Sequence, residues 1–199
     1  MLLLLLYGLW ADAPPRITTY SSDDDDVTLL LAVRTDSQAF ALLYQRYASC
    51  IFQYLEFRLA NVQDAEDLSQ QVFLQLYKTR LPAQLGKASI RGWLFYAAHN
   101  LAIDHLRKKR STVAWQHLPE PLHPVAPGDM EAETIWRDQC LRVRRHLHRL
   151  SPEKQELIAL YYGANLSARA VAEILNKSPA AVTKMLQRTL QEVKNRYEI

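Results

Sequence analysis

SARAVAEILNKSPAAVTKMLQRTLQEV, residues 167–193, holds two amphipathic helices split by a tight turn. Ser167 has the chemistry of a helix cap, and Val171, Ala172, Ile174 and Leu175 follow it at helical spacing. Asn176-Lys177 makes the turn, and Ser178-Pro179 opens the second helix. There Val182, Leu186, Leu190 and Val193 recur at steps of four, four and three, which makes them one buried stripe. Ala180, Ala181, Thr183, Lys184, Gln187 and Arg188 are left facing outward. The pattern fits a helix-turn-helix, whose first helix crosses a DNA backbone while the start of the second enters the major groove. A plain helical hairpin would show the same periodicity, so this segment decides fold class before it decides function.

Working back from it, Ser151-Pro152-Glu153 starts a helix running to about Tyr162, and 129–149 reads as a long helix with Ile135, Leu141, Val143 and Leu147 as its apolar positions. Between Ser111 and Gly128, Pro119, Pro121, Pro124 and Pro127 forbid a continuous helix and favour an extended tether. Upstream, Phe40, Leu43, Tyr44, Tyr47, Ile51, Tyr54 and Leu55 form a helical stripe that Asp36 or Ser37 would cap. A second helix from Val62 or Asp64 to Tyr77 buries Leu68, Val72 and Leu76, and residues 84–90 read as a loop. Ile90 to Ala98 resumes the helical pattern, and a further helix carrying Leu101, Asp104, His105 and Arg107 ends in the basic run 107–110. Sustained strand alternation is absent. The expectation is an all-α chain of two small helical domains: a leader at 1–26, a first domain at 27–110, a linker at 111–128 and a second domain at 129–199.

The composition is that of a soluble globular protein, with 49% hydrophobic and 23% charged residues in a 199-residue chain. A net charge of +3 argues little by itself; the distribution says more. Four acids run from Asp23 to Asp26, whereas cations gather at Arg107, Lys108, Lys109 and Arg110 and again at Arg142, Arg144, Arg145 and Arg149. Cys50 and Cys140 are too far apart for a paired metal motif, and a reducing, cytoplasmic setting is the simpler reading. MLLLLLYGLW at the start is shorter than the about 20 residues that span a bilayer, and no Lys or Arg precedes it as in an export signal.

Asp64-Ala65-Glu66-Asp67-Leu68-Ser69-Gln70-Gln71 puts Asp64, Asp67, Gln70 and Gln71 on the exposed side of a helix whose Leu68 faces inward. No His accompanies these acids, so a polar docking face for a basic partner fits better than a metal site. His146 and His148 diverge on their helix, and neither a phosphate-binding glycine loop nor a nucleophile with its base is present. No catalytic residue, metal, cofactor or small-molecule substrate is expected, which leaves an enzyme acting on nucleic acid as the weakest reading.

Phe40-x-x-Leu43-Tyr44-x-x-Tyr47, Asp64-Ala65-Glu66-Asp67-Leu68-x-Gln70-Gln71-x-Phe73 and the run from Ile90-Arg91-Gly92-Trp93 to Arg107 together resemble region 2 of the extracytoplasmic-function sigma factors. Leu150-Ser151-Pro152-Glu153, Val171-Ala172-Glu173-Ile174-Leu175, Val182 and Arg188 resemble region 4, in the same order. The resemblance implies that Asp64, Glu66, Asp67, Gln70 and Gln71 bind core RNA polymerase at its beta-prime clamp helices, with the beta subunit as a further contact. It implies that Tyr96, His99, Asn100, Arg107, Lys108, Lys109 and Arg110 melt and read the minus-10 promoter element, with Asn100 the leading base contact. Aromatic platforms beside cations suit capture of a single strand; Trp93 is assigned to the core. Arg169, Ser178, Ala180, Thr183, Lys184, Gln187 and Arg188 would read the minus-35 element, and an anti-sigma protein is a further partner that the family allows.

The chain departs from the family pattern at Ala180 and Ala181, where glycine and threonine are common, and at Thr183 and Met185, where basic residues are. Ala170 stands in for glutamate, and Asn176 for a turn glycine. These departures bear on the minus-35 preference. The competing reading is a regulator that binds DNA through its C-terminal module without polymerase, which would have no use for the acidic face.

Overall fold

The computed structural model describes residues 23–33, 36–78, 89–112 and 142–197. No strand occurs among them, in keeping with the all-α expectation. The chain divides into two compact units, 19–120 and Met1–Thr18 with Pro121–Ile199. Most of the leader, the tether beyond its first two residues and the first part of the helix expected at 129–149 lie outside the described residues; Ser111 and Thr112, expected in the linker, instead end a helix.

In the first unit α1 (Asp23–Ala32), α2 (Ser37–Leu59), α3 (Val62–Lys78) and α4 (Ile90–Thr112) form a bundle in which α2 packs against each of the other three. Local chemistry places the helix starts. Asp36 Oδ1 accepts from Gln38 N at 2.8 Å, Asn61 Oδ1 from Asp64 N at 2.9 Å, and Ser89 Oγ from Gly92 N at 3.1 Å. Between α2 and α3 the chain reverses at Ala60, which takes φ 50°. Leu43, Ile51, Leu55, Leu76, Leu94 and Phe95 are fully buried, and the ring of Tyr54 meets Phe95 edge-on at 5.4 Å. Phe40 and Tyr44, expected in that stripe, instead join Phe73 and Tyr77 in a partly exposed aromatic cluster, with Tyr44 4.7 Å from Phe73 and Phe40 5.8 Å from Tyr77.

Two differences from the sequence reading have physical causes. The acids from Asp23 belong to α1, not to a leader; Asp26 is buried and accepts hydrogen bonds from the Arg46 guanidinium and the Tyr47 hydroxyl, which compensates its burial. Burial, then the hydrogen bond to Asp26, pushes the Tyr47 phenol well above its ordinary range. The run from Ile90 to Thr112 is one helix rather than two, because Ala97, Ala98 and Ala102 carry the buried face through the expected junction.

The second unit holds α5 (142–147), α6 (Pro152–Ile158), α7 (Ala168–Ile174) and α8 (Pro179–Tyr197). α6 runs into a wider turn, Ala159–Gly163, closed by Ala164 N donating to Ala159 O five residues back at 2.8 Å. Gln155 Nε2 reaches the carbonyls of His148 at 2.9 Å and Leu150 at 2.8 Å, pinning the α5–α6 junction. Burial, reinforced by Arg144, holds His148 below the usual histidine range. Asn176, at φ 52°, ends α7: its own N–H meets Glu173 O at 3.4 Å and Lys177 N meets Ala172 O at 2.9 Å. That closing pattern needs a left-handed residue, which glycine usually supplies and asparagine adopts more easily than other residues with a side chain.

Candidate nucleic-acid and partner-docking faces

On α3, Ala65, Leu68, Ser69, Val72, Phe73 and Leu76 turn inward and leave Glu66, Asp67, Gln70 and Gln71 exposed as one polar row. The row continues into apolar side chains that the sequence reading missed, since Leu74 and Tyr77 are each 49% exposed. Their spacing of seven and ten from Asp67 was the available signal. Asp64 stands at the edge of this row and is already engaged. Its Oδ2 lies 2.9 Å from Lys109 Nζ and 3.1 Å from His105 Nε2, both on α4. Burial raises the Asp64 pKa, but the hydrogen bond from Lys109 and the charge of His105 outweigh it and hold the carboxyl below the usual carboxylate range.

α4 presents Tyr96, Asn100, Ile103, Asp104 and Arg107 along one exposed stripe at steps of one, three and four. Arg107 Nη2 sits 3.1 Å from Asp104 Oδ1, on side chains that both remain exposed. Lys108 is exposed as well. Two residues expected on this face depart from it. His99 is buried, three residues past Tyr96 and turned toward the bundle, and Lys109 is directed to Asp64 on α3. The side chain of Arg110 lies outside the described residues. Trp93 is half-buried, so only part of its ring is available to a partner.

In the second unit Ser178 Oγ accepts from Ala181 N at 3.2 Å, which starts α8 at Pro179. Val182, Leu186, Thr189 and Val193 are buried; Leu190, expected among them, is half-buried, and Thr189 takes its place with no exposed surface. Ala180, Ala181, Lys184, Gln187 and Arg188 share the opposite, exposed side. Thr183 is exposed too, with its hydroxyl donating to Pro179 O at 3.0 Å. Arg169 projects from α7, 3.5 Å from Glu173 Oε1. Ion pairs brace the module from behind: Lys177 Nζ reaches Glu153 at 2.7 Å, and Lys154 pairs with Glu192.

Among the described residues no three His, Cys, Asp or Glu side chains gather as a metal-binding group, and no helix is long and apolar enough to cross a membrane. Burial pushes the half-buried Cys50 thiol up, against the charge of Arg91. The faces available are thus a polar and apolar docking row, an aromatic and basic stripe, and a helix-turn-helix.

Residues 43–112 match the family model for sigma-70 region 2, and residues 140–193 match that for sigma-70 region 4. The chain is 24% identical over 183 residues to the extracytoplasmic-function sigma factor BldN of Streptomyces coelicolor, covering 86% of this chain and 66% of that one. It is 26% identical over 182 residues to SigK of Mycobacterium sp. strain KMS, covering 91% and 92%, and 27% identical over 161 residues to SigW of Bacillus subtilis, covering 77% and 86%. Its fold resembles that of CnrH, solved in complex with the cytosolic domain of CnrY, with a TM-score of 0.62 at 20% identity over 88% of this chain and 98% of that one. Two helical modules in this order, each matched by its own region model, make the chain a member of the extracytoplasmic-function sigma factors of the sigma-70 family.

Proposed function

We propose that this sigma factor directs promoter-specific initiation by docking on core RNA polymerase through α3 and reading promoter DNA through α4 and α8. The observation that carries the reading is the coexistence, in one chain, of an exposed acidic row on α3 and a capped, braced helix-turn-helix, joined by a proline-rich tether. A stand-alone DNA-binding regulator accounts for the second and has no use for the first.

Glu66, Asp67, Gln70 and Gln71 form the centre of the docking face, with Asp64 at its rim and Leu74 and Tyr77 extending it. Carboxylates give such a contact its register and on-rate, and the adjoining apolar surface gives it burial. Tyr96 and Asn100 are the side chains on α4 suited to an unstacked base, with Arg107 and Lys108 for phosphates. Ser178, Ala180, Thr183, Lys184, Gln187 and Arg188 on and before α8 form the minus-35 face, and Arg169 on α7 is the phosphate clamp. With the first domain extended to Asp23 and Thr112 by the ends of α1 and α4, the proline-rich stretch up to residue 128 tethers it to the second domain at 129–199. The protein works in the cytoplasm without a cofactor or catalysis of its own, and an anti-sigma protein is the regulator this role calls for.

Capture of purified core RNA polymerase by the chain, followed by transcription from a promoter library with and without it, tests the reading. Capture with promoter-specific initiation is the expected result. DNA retained by the protein alone, with no polymerase captured, would overturn it in favour of the stand-alone regulator.

A further inference from the structure

The exposed side of α8 has an uneven chemistry. Its long polar side chains, Lys184, Gln187 and Arg188, begin only at the second turn, while the first turn exposes two bare methyl groups, those of Ala180 and Ala181. The hydroxyls beside them are partly engaged by the backbone: Ser178 Oγ accepts from Ala181 N at 3.2 Å, and the Thr183 hydroxyl donates to Pro179 O at 3.0 Å. Pro179 has no N–H to offer. In a helix-turn-helix the start of the second helix is the part that meets base edges, whereas side chains further along reach phosphates as readily as bases.

We propose that Ala180 and Ala181 are specificity-determining residues that recognise thymine through its C5-methyl group, so that the upstream promoter element of this factor carries thymine at two neighbouring positions. The inference rests on the promoter-reading role of α8. In the major groove thymine alone among the four bases projects a methyl group, and alanine is a side chain small and apolar enough to lie against it. A purine turns its N7 acceptor toward that place and would lose its water to a methyl group that returns no hydrogen bond, whereas cytosine presents only a bare C5–H there and forfeits the methyl contact. The short side chains also let the helix sit close to the groove floor, which a longer residue at either position would prevent.

The test uses the full chain with core RNA polymerase. Upstream elements are selected from a random library, and each thymine in the recovered element is then replaced by deoxyuridine, which deletes the methyl group and leaves every hydrogen-bonding atom and the protein unchanged. Adjacent thymines are expected, with each replacement weakening binding about fourfold, the fold-change that corresponds to roughly 0.8 kcal/mol for one buried methyl group. Ala180→Gly or Ala181→Gly should abolish the sensitivity at one thymine and keep it at the other. An element recovered without adjacent thymines, or indifferent to deoxyuridine at all of them, overturns the proposal and leaves the promoter-reading role standing. A library from which no upstream element is recovered removes that role, and this proposal with it.

Discussion

Asp64, Asp26 and Asn176 each depend on chemistry that lies close around a single side chain. Asp64 binds two α4 side chains through one oxygen, in a pair about a quarter exposed on the acid's side and nearly half exposed on that of Lys109. Solvent screens such a pair, so Asp64→Asn should cost only about 0.2–1 kcal/mol, and urea melts of Asp64→Asn, Lys109→Ala and the double variant should show their coupling. Because the folded carboxyl is held below its unfolded value, this contribution is complete above the unfolded pKa and fades as pH falls through the folded one. The difference between parent and Asp64→Asn should therefore shrink only on the acid side of about pH 4. Asp26 is a stronger case, being buried against Arg46 and Tyr47. Asp26→Asn should lower stability by about 2 kcal/mol in the same melts, since it removes a charge-assisted acceptor from two donors. A loss below a few tenths would mean that water replaces it freely. At Asn176 the left-handed backbone explains why asparagine can stand where the family has glycine.

Helix boundaries divide into those with a local cause and those without. Ala60 closes α2 at φ 50°, a region where a Cβ meets the following carbonyl. Ala60→Gly should raise the unfolding free energy of the first unit by about 0.5–1 kcal/mol, read as a shift in urea midpoint; a lowered midpoint would show that glycine's extra freedom in the unfolded chain outweighs the strain relieved. Caps and apolar spacing were legible in the residues themselves: Asp36 for α2, Ser167 for α7, and the stripe of Val182, Leu186 and Val193 on α8. What was not legible depends on neighbours distant in sequence. Asp23 to Asp26 read as a solvated run because only the fold brings Arg46 and Tyr47 to Asp26. His99 read as a base contact because nothing local says that its side of α4 faces the bundle. Lys109 read as a phosphate ligand because its acid partner lies 45 residues away. The wide turn after Ile158 also lacks a marker, since Ala159 to Gly163 continues the helical periodicity.

Over the whole molecule, the proposed docking and DNA-reading faces lie on different helices, so their losses should separate. Glu66→Lys with Asp67→Lys turns two exposed acids of α3 into cations without touching a buried position, and it should abolish capture of core RNA polymerase while the helical signal and melting midpoint stay close to the parent's. Capture that survived this reversal would move the docking surface off α3. The DNA side follows counterion arithmetic: each phosphate contact contributes about 0.9 to the slope of log affinity against log salt on duplex DNA. Lys184→Ala and Arg188→Ala, both on the exposed side of α8, should each make that slope shallower by close to this amount where the side chain meets phosphate. Where it meets a base instead, affinity should fall on the selected element and not on random DNA. Lys109→Ala should leave the slope unchanged, because Lys109 is held by Asp64 on the α3 side of α4 and away from the stripe of Tyr96, Asn100 and Arg107. A shallower slope for Lys109→Ala would show that DNA displaces Asp64 from it, and would return Lys109 to the strand-binding set.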